Sequence, residues 1–168
     1  MKALVSIIMG STSDYPVMEA AAKILDEFKI PFEINALSAH RTPEEVEAFA
    51  KNAEMRGLKV IIAGAGMAAH LPGVIASMTS LPVIGVPIKS SLEGLDALLA
   101  IVQMPPGIPV ATVGINAAQN AGILAAEMIA LSDGNVAATL KSYKANLKKK
   151  IVQANKELSE IKFNHKVG

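Results

Sequence analysis

Three stretches of this chain are apolar almost without interruption, and each is only seven or eight residues long: "ALVSIIM" (3–9), "KVIIAGAG" (59–66) and "LPVIGVPI" (81–88). A strand with one wet face alternates apolar and polar residues. These runs do not alternate, so each predicts a strand covered on both faces. Such strands demand two layers of cover, and the sequence between them supplies it. "YPVMEAAAKILDEFKI" (15–30) repeats Val17, Ala21, Ile24, Leu25 and Phe28 at helical spacing. Pro16 falls in its first turn, where a missing N–H costs nothing. "TPEEVEAFAKNAEMRG" (42–57) offers Thr42 as N-cap, Pro43 at the first position, Glu45 to complete a capping box and Gly57 as C-cap.

"FEINALS" (32–38) alternates as a further strand, and "IPVATVGI" (108–115) reads as a fifth. "LPGVIASM" (71–78), "GLDALLAIVQM" (94–104) and "NAAQNAGILAAEMIAL" (116–131) read as helices, and a long last helix spans about 134–160. Strand and helix alternate throughout. The expected fold is α/β: a three-layer α/β/α sandwich on a flavodoxin-like, doubly wound, parallel five-stranded sheet, with an extra long C-terminal helix. No repeat, linker or low-complexity segment interrupts it. The chain reads as a single domain over 1–168, with its core in 3–131 and a C-terminal helical segment at 134–160.

Composition narrows the chemistry. Hydrophobic residues make up 51% of the chain but aromatic ones only 4%, so the core is built from Ala, Val, Ile, Leu and Met. There is no cysteine, which excludes thiolate catalysis, disulfides and thiolate metal sites and fits a reducing cytoplasm. No apolar stretch reaches the roughly 18–20 residues that span a bilayer, and "MKALVSIIMG" is too short for a signal peptide, so no membrane partner is expected. A net charge of +1 gives no case for a nucleic-acid partner. The charge is uneven, however. Residues 141–168 carry eight Lys and two Glu, while residues 1–140 carry eight basic and thirteen acidic residues. The tail is a basic helix with a solvated face.

In an open parallel sheet, ligands bind beyond the carboxyl ends of the strands. The loops expected there are "GSTSD" (10–14), "SAHRT" (38–42), "GAGMAAHLPG" (64–73) and "PIKSSLEG" (87–94). "GSTSD" sets Ser11, Thr12 and Ser13 beside free backbone N–H groups at a helix start. That arrangement suits an anion and equally suits ordinary N-capping by Ser13 or Asp14. It is neither a Walker loop nor a dinucleotide fingerprint. Of three His and two Arg in the chain, His40 and Arg41 stand side by side. Arg41 has the fork geometry for phosphate, and His40 supplies an imidazole able to move a proton. His70 is a second acid/base candidate or a helix-start residue bonded to nearby backbone. His165 lies in the basic tail. With two His at the rim and no Cys, a metal site is not expected. Asp14 suits a ribose hydroxyl pair. The residues alone thus describe a site for a small phosphorylated ribose compound with a histidine for proton transfer.

"MGSTSD", "SAHRTPE", "AGAGMAAHLPG", "GVPIKSS", "GLDALLAIVQMPPGIPVATVGI" and "NAGILAAEMIAL", in this order, closely resemble the class I N5-carboxyaminoimidazole ribonucleotide mutase (PurE) family of purine biosynthesis over about residues 3–131. The resemblance implies rearrangement of N5-carboxyaminoimidazole ribonucleotide to 4-carboxy-5-aminoimidazole ribonucleotide, with no cofactor, ATP, biotin or metal. It implies His40 as the acid/base, Arg41, Ser11 and Ser13 at the phosphate, and Asp14 at the ribose. Ser38 and the backbone of Ala63, Gly64, Ala65, Gly66 and Met67 would line the base and carboxylate, with His70 shaping the site. It also implies a homo-octamer with sites between subunits. The class II pattern, a direct carboxylase, has Lys after this histidine, where Arg41 stands here. Two departures from class I stand out: Met67 where many members have glycine, and "KSSLEG" one residue short. A non-catalytic nucleotide-binding module is the remaining alternative.

Overall fold

The computed structural model describes residues 2–167. Strands β1 (Val5–Met9), β2 (Phe32–Ala36), β3 (Val60–Gly66), β4 (Val83–Ile88) and β5 (Ala111–Thr112) pair in parallel, in the order β2-β1-β3-β4-β5. This is the flavodoxin-like order, with its direction of winding reversing between β1 and β3. The central strands are dry: β1 and β4 are buried at every position, and β3 at every position before Gly66.

Pleating sends successive side chains to opposite faces. Val5, Ile7 and Met9 enter one core with α1 (Tyr15–Glu27), α5 (Ala118–Ala130) and α6 (Gly134–Glu160). Ile8, Ile61, Ala63 and Ala65 enter the other with α2 (Pro43–Asn52), α3 (Leu71–Ala76) and α4 (Leu95–Val102). The two predicted covering layers are both present. Among the described residues no helix is long and apolar enough to cross a membrane.

Helix ends follow local chemistry. At the close of α1, Lys29 takes a left-handed φ of 58° while its N–H reaches Asp26 O and that of Ile30 reaches Leu25 O, which satisfies two orphan carbonyls. Gly57, at φ 97°, does the same for the turns that extend α2: its N–H meets Glu54 O and the Leu58 N–H meets Ala53 O. The expected capping box is absent. Thr42 stands at the N-cap position, but its hydroxyl turns back to donate to Ser38 O and accept from Ser38 N, so the tight 38–42 loop claims it instead of the helix.

Two elements are shorter than the sequence suggests. The fifth strand is two residues long, not 108–115: Pro109 has no N–H to pair, and after single bonds from Val113 to Gly85 O and from Asn116 to Pro87 O the chain turns away at Asn116, φ 58°. The helix expected over 94–104 ends at Val102, before Pro105 and Pro106. Helix α6 matches its expected span. Asp133 caps it by accepting from the N–H groups of Asn135 and Val136. Only Val136 and Leu140 are buried on it; Tyr143 packs edge-on against Phe28, and beyond that the helix is exposed.

Helices α1 and α5 approach closely because α5 buries Ala118, Ala121, Gly122, Ala125 and Ala126. A Cβ on Gly122 would lie 2.3 Å from Ile24 Cγ2 and 3.1 Å from Ala21 O. The first is a branch fixed on Cβ and the second is backbone, so neither swings aside. Gly122→Ala should therefore lower the thermal midpoint: overpacking of about 1–3 kcal/mol outweighs the gain of up to about 1 kcal/mol in helix propensity. Gly134→Ala, with nothing within 4 Å of its new methyl, should raise it. Thermal unfolding followed by circular dichroism checks both signs.

Candidate active site

The four predicted loops do converge. Gly10, Ser11, Ser13 and Asp14 after β1, Ser38 to Arg41 after β2, Ala65 to Ala68 with His70 and Leu71 after β3, and Ser90 after β4 line one cavity of about 440 Å³. It lies over the carboxyl ends of β1 and β3, where the winding reverses.

The strand-one loop is a 3-10 turn, Thr12–Asp14, running into α1. Ser11 caps it, accepting from Ser13 N at 3.3 Å; Asp14 makes no capping bond, so its carboxylate is left to the cavity. Burial pushes the Asp14 carboxyl above the ordinary carboxylate range, against the opposing pulls of the Ser11 backbone N–H and the Arg41 charge.

Arg41 joins two loops. Its Nη2 donates to Gly10 O at 2.6 Å and its Nε to Ser38 Oγ at 3.3 Å. A guanidinium has five donors, so the fork holds the loops and keeps donors for an anion. Ser38 also accepts from the Arg41 backbone N–H.

His40 and His70 lie thirty residues apart in sequence and touch here. His40 Nε2 and His70 Nδ1 share a 2.7 Å hydrogen bond, with the rings edge to face at 89°. One nitrogen must donate and the other accept, so the contact fixes complementary tautomers on the two rings. His70 precedes α3, yet its ring bonds His40 and caps nothing.

Of the residues singled out in the sequence, Ser11, Ser13, Asp14, Ser38, His40, Arg41, Ala65, Gly66, Met67 and His70 meet at the cavity. Ala63 and Gly64 do not line it. They lie within β3, paired with Ile8 and Met9 on one side and with Gly85 and Val86 on the other, and are buried. Gly10, Ala39, Ala68, Leu71 and Ser90 line it without having been singled out. All five fall in the loops that the strand ends marked. Among the described residues no three His, Asp or Glu side chains are grouped to hold a metal ion.

Hydroxyl, guanidinium, carboxylate and imidazole groups thus meet at the switch point of a parallel sheet, where doubly wound α/β folds bind their ligands. The chain matches the family described as AIR carboxylase over residues 4–150 and belongs to that family. The N5-carboxyaminoimidazole ribonucleotide mutase of Thermotoga maritima is 57% identical over 95% of this chain and 94% of that protein. That of Pyrococcus horikoshii is 58% identical over 95% of this chain and 91% of its own length. The phosphoribosylaminoimidazole carboxylase of Schizosaccharomyces pombe is 54% identical over 94% of this chain, which spans only 29% of that protein. The crystal structure of Treponema denticola PurE superposes with a TM-score of 0.86 at 34% identity, covering 94% of this chain and 99% of that one.

The raised Asp14 pKa carries a sign. Below the usual value of 3.8 the group is protonated in both folded and unfolded chains and costs nothing; as pH rises past that value and the raised one, the fold bears a half-buried charge. Asp14→Asn should therefore raise the thermal midpoint at pH 7, and the advantage should fade on acidification. Paired melting curves across pH test this.

Proposed function

We propose that this protein converts N5-carboxyaminoimidazole ribonucleotide to 4-carboxy-5-aminoimidazole ribonucleotide. The observation that carries the reading is the meeting of His40 with the Ser11–Ser13–Asp14 turn and Arg41 in one cavity. The mutase names of the relatives at 57–58% identity support it.

The geometry supports the following roles. The Ser11 and Ser13 hydroxyls, with the spare donors of Arg41, receive the 5′-phosphate. Asp14 accepts from the ribose hydroxyls, and this gain offsets the cost of its burial. Ser38 and the backbone of Ala65, Gly66 and Met67 face the base and its carboxylate. Binding the phosphate and ribose supplies energy remote from the reacting atoms, which holds the base in place while chemistry proceeds.

The reaction needs no outside reagent. His40, as acid, gives its proton to the exocyclic nitrogen as the bond from that nitrogen to the carboxyl carbon breaks, releasing carbon dioxide and leaving an electron-rich aminoimidazole ring. The ring carbon attacks the trapped carbon dioxide, and a carbon–carbon bond forms. His40 then removes the proton from that carbon and the ring regains its aromaticity. Proximity takes the place of a strong nucleophile. His70 shapes the site by holding the His40 ring in its orientation.

We also propose a cytoplasmic homo-octamer with sites at subunit boundaries. Leu95, Leu99 and Val102 stand about half exposed along one face of α4, and Leu147, Ile151 and Leu158 follow on the projecting part of α6. These surfaces suit burial against further copies.

His40→Asn should cut conversion of freshly made substrate by about 10²–10⁴-fold while nucleotide still binds, without ATP or added bicarbonate. Ultraviolet absorbance follows the product and calorimetry the binding. A wild-type protein that instead turns over aminoimidazole ribonucleotide only with bicarbonate is a direct carboxylase; one that binds and reacts with neither is a binding module. Leu99→Glu should shift the assembly to smaller species in analytical ultracentrifugation, and an unchanged sedimentation profile counts against the α4 interface.

A further inference from the structure

Five described residues other than glycine hold a left-handed backbone, and all but Lys29 lie beyond the carboxyl ends of β3, β4 and β5: Met67, Leu92, Glu93 and Asn116. Met67 is the one among them that lines the cavity. At φ 55° its Cβ crowds the neighbouring carbonyl, a cost that glycine would not bear. The turn holds it there, with the N–H of Ala69 on Met67 O and that of His70 on Ala68 O. The fold gains little burial in return, since the residue is 58% exposed and joins neither core. A strained residue with little packing benefit, standing in an active-site wall, asks for a functional account.

Polar side chains line the cavity at Ser11, Ser13, Asp14, Ser38, His40, Arg41 and Ser90. The apolar side chains beside Met67 are those of Ala39, Ala65, Ala68 and Leu71. Ala65 and Leu71 are already buried, and Ala39 and Ala68 carry single methyl groups. Met67 thus carries the longest exposed apolar side chain of the lining. Its unbranched thioether rotates about three bonds and adapts to an irregular surface.

We infer that the Met67 side chain retains carbon dioxide in the cavity between its release and its recapture, and so sets the fraction of turnovers that reach product. The inference rests on the mutase reading above. In that interval the carbon–nitrogen bond has broken and the carbon–carbon bond has not formed. The migrating group is then a neutral, apolar molecule with no covalent tether. Hydrogen-bonding walls do little to hold it, and water that enters hydrates it to bicarbonate. An apolar flap over the opening excludes water and slows escape.

The test uses substrate labelled with ¹³C in the migrating carboxylate, given to wild type, Met67→Gly and Met67→Leu. Nuclear magnetic resonance reads label in the ring carboxylate against label lost as carbon dioxide and bicarbonate, corrected for an enzyme-free blank. Met67→Gly should lose severalfold more label per substrate consumed, and Met67→Leu should return the ratio close to that of wild type. A glycine variant that only slows, with its ratio unchanged, overturns the inference, because a merely structural role reduces consumption and product together. A leucine variant that leaks as glycine does overturns it too. If wild type consumes no substrate beyond the blank, the mutase reading fails and the inference with it. If wild type converts cleanly and the variants do the same, only the assignment to Met67 falls.

Discussion

A parallel sheet sealed on both faces has nowhere to place polar chemistry except at the ends of its strands. Most of the backbone of β1 and β3, and much of that of β4, is paired with neighbouring strands, and each face is covered by apolar side chains from three helices. The loops after β1, β2, β3 and β4 are therefore the first places where the chain is free to carry serine, histidine, arginine and aspartate. The reversal of winding between β1 and β3 spreads those loops apart and opens a cavity between them. The dry sheet fixes where the wet site must be.

Holding the loops after β1, β2 and β3 in register falls to a few bonds. The Arg41 guanidinium ties the strand-two loop to Gly10 O in the strand-one loop, and the His40–His70 contact ties it to the strand-three loop. The loop after β2 is thus clamped from both sides while its own shape is kept by Thr42 and Ser38. Each clamp belongs to a residue that also faces the cavity. A ligand that competes for Arg41 or His40 must loosen the scaffold as it binds, so substrate affinity and loop order are two readings of one equilibrium.

Much of this was legible in the sequence because it follows from periodicity and from strand ends. The unbroken apolar runs marked the central strands, the helical repeats marked their cover, and the loops at the strand ends contained all the residues that line the cavity. What escaped depends on contacts between distant positions. Nothing near Thr42 announces that its hydroxyl serves Ser38 and not the helix. The His40–His70 bond spans thirty residues and exists only once β2 and β3 flank β1. The fifth strand was read too long because apolar character continues past Thr112, while pairing at an edge also depends on donors and on chain direction. Ala63 and Gly64 were placed at the site by the resemblance, yet the ladder to β4 continues through Gly66 and holds them inside the strand that the run 59–66 predicts.

The close approach of α1 and α5 has a consequence for how this sequence is able to drift. At Gly122 the severe obstacle to a methyl group is Ile24 Cγ2, a branch that valine would keep and that leucine or methionine would not. A change at position 24 to an unbranched side chain clears that obstacle and leaves the tight approach to Ala21 O, whereas a change at position 122 made first meets both. The two positions are energetically coupled, and the order of substitution matters. Descendants of this chain have a passable route through position 24 and a blocked one through position 122, so the history of this helix pair is directional even where its end points are equally stable.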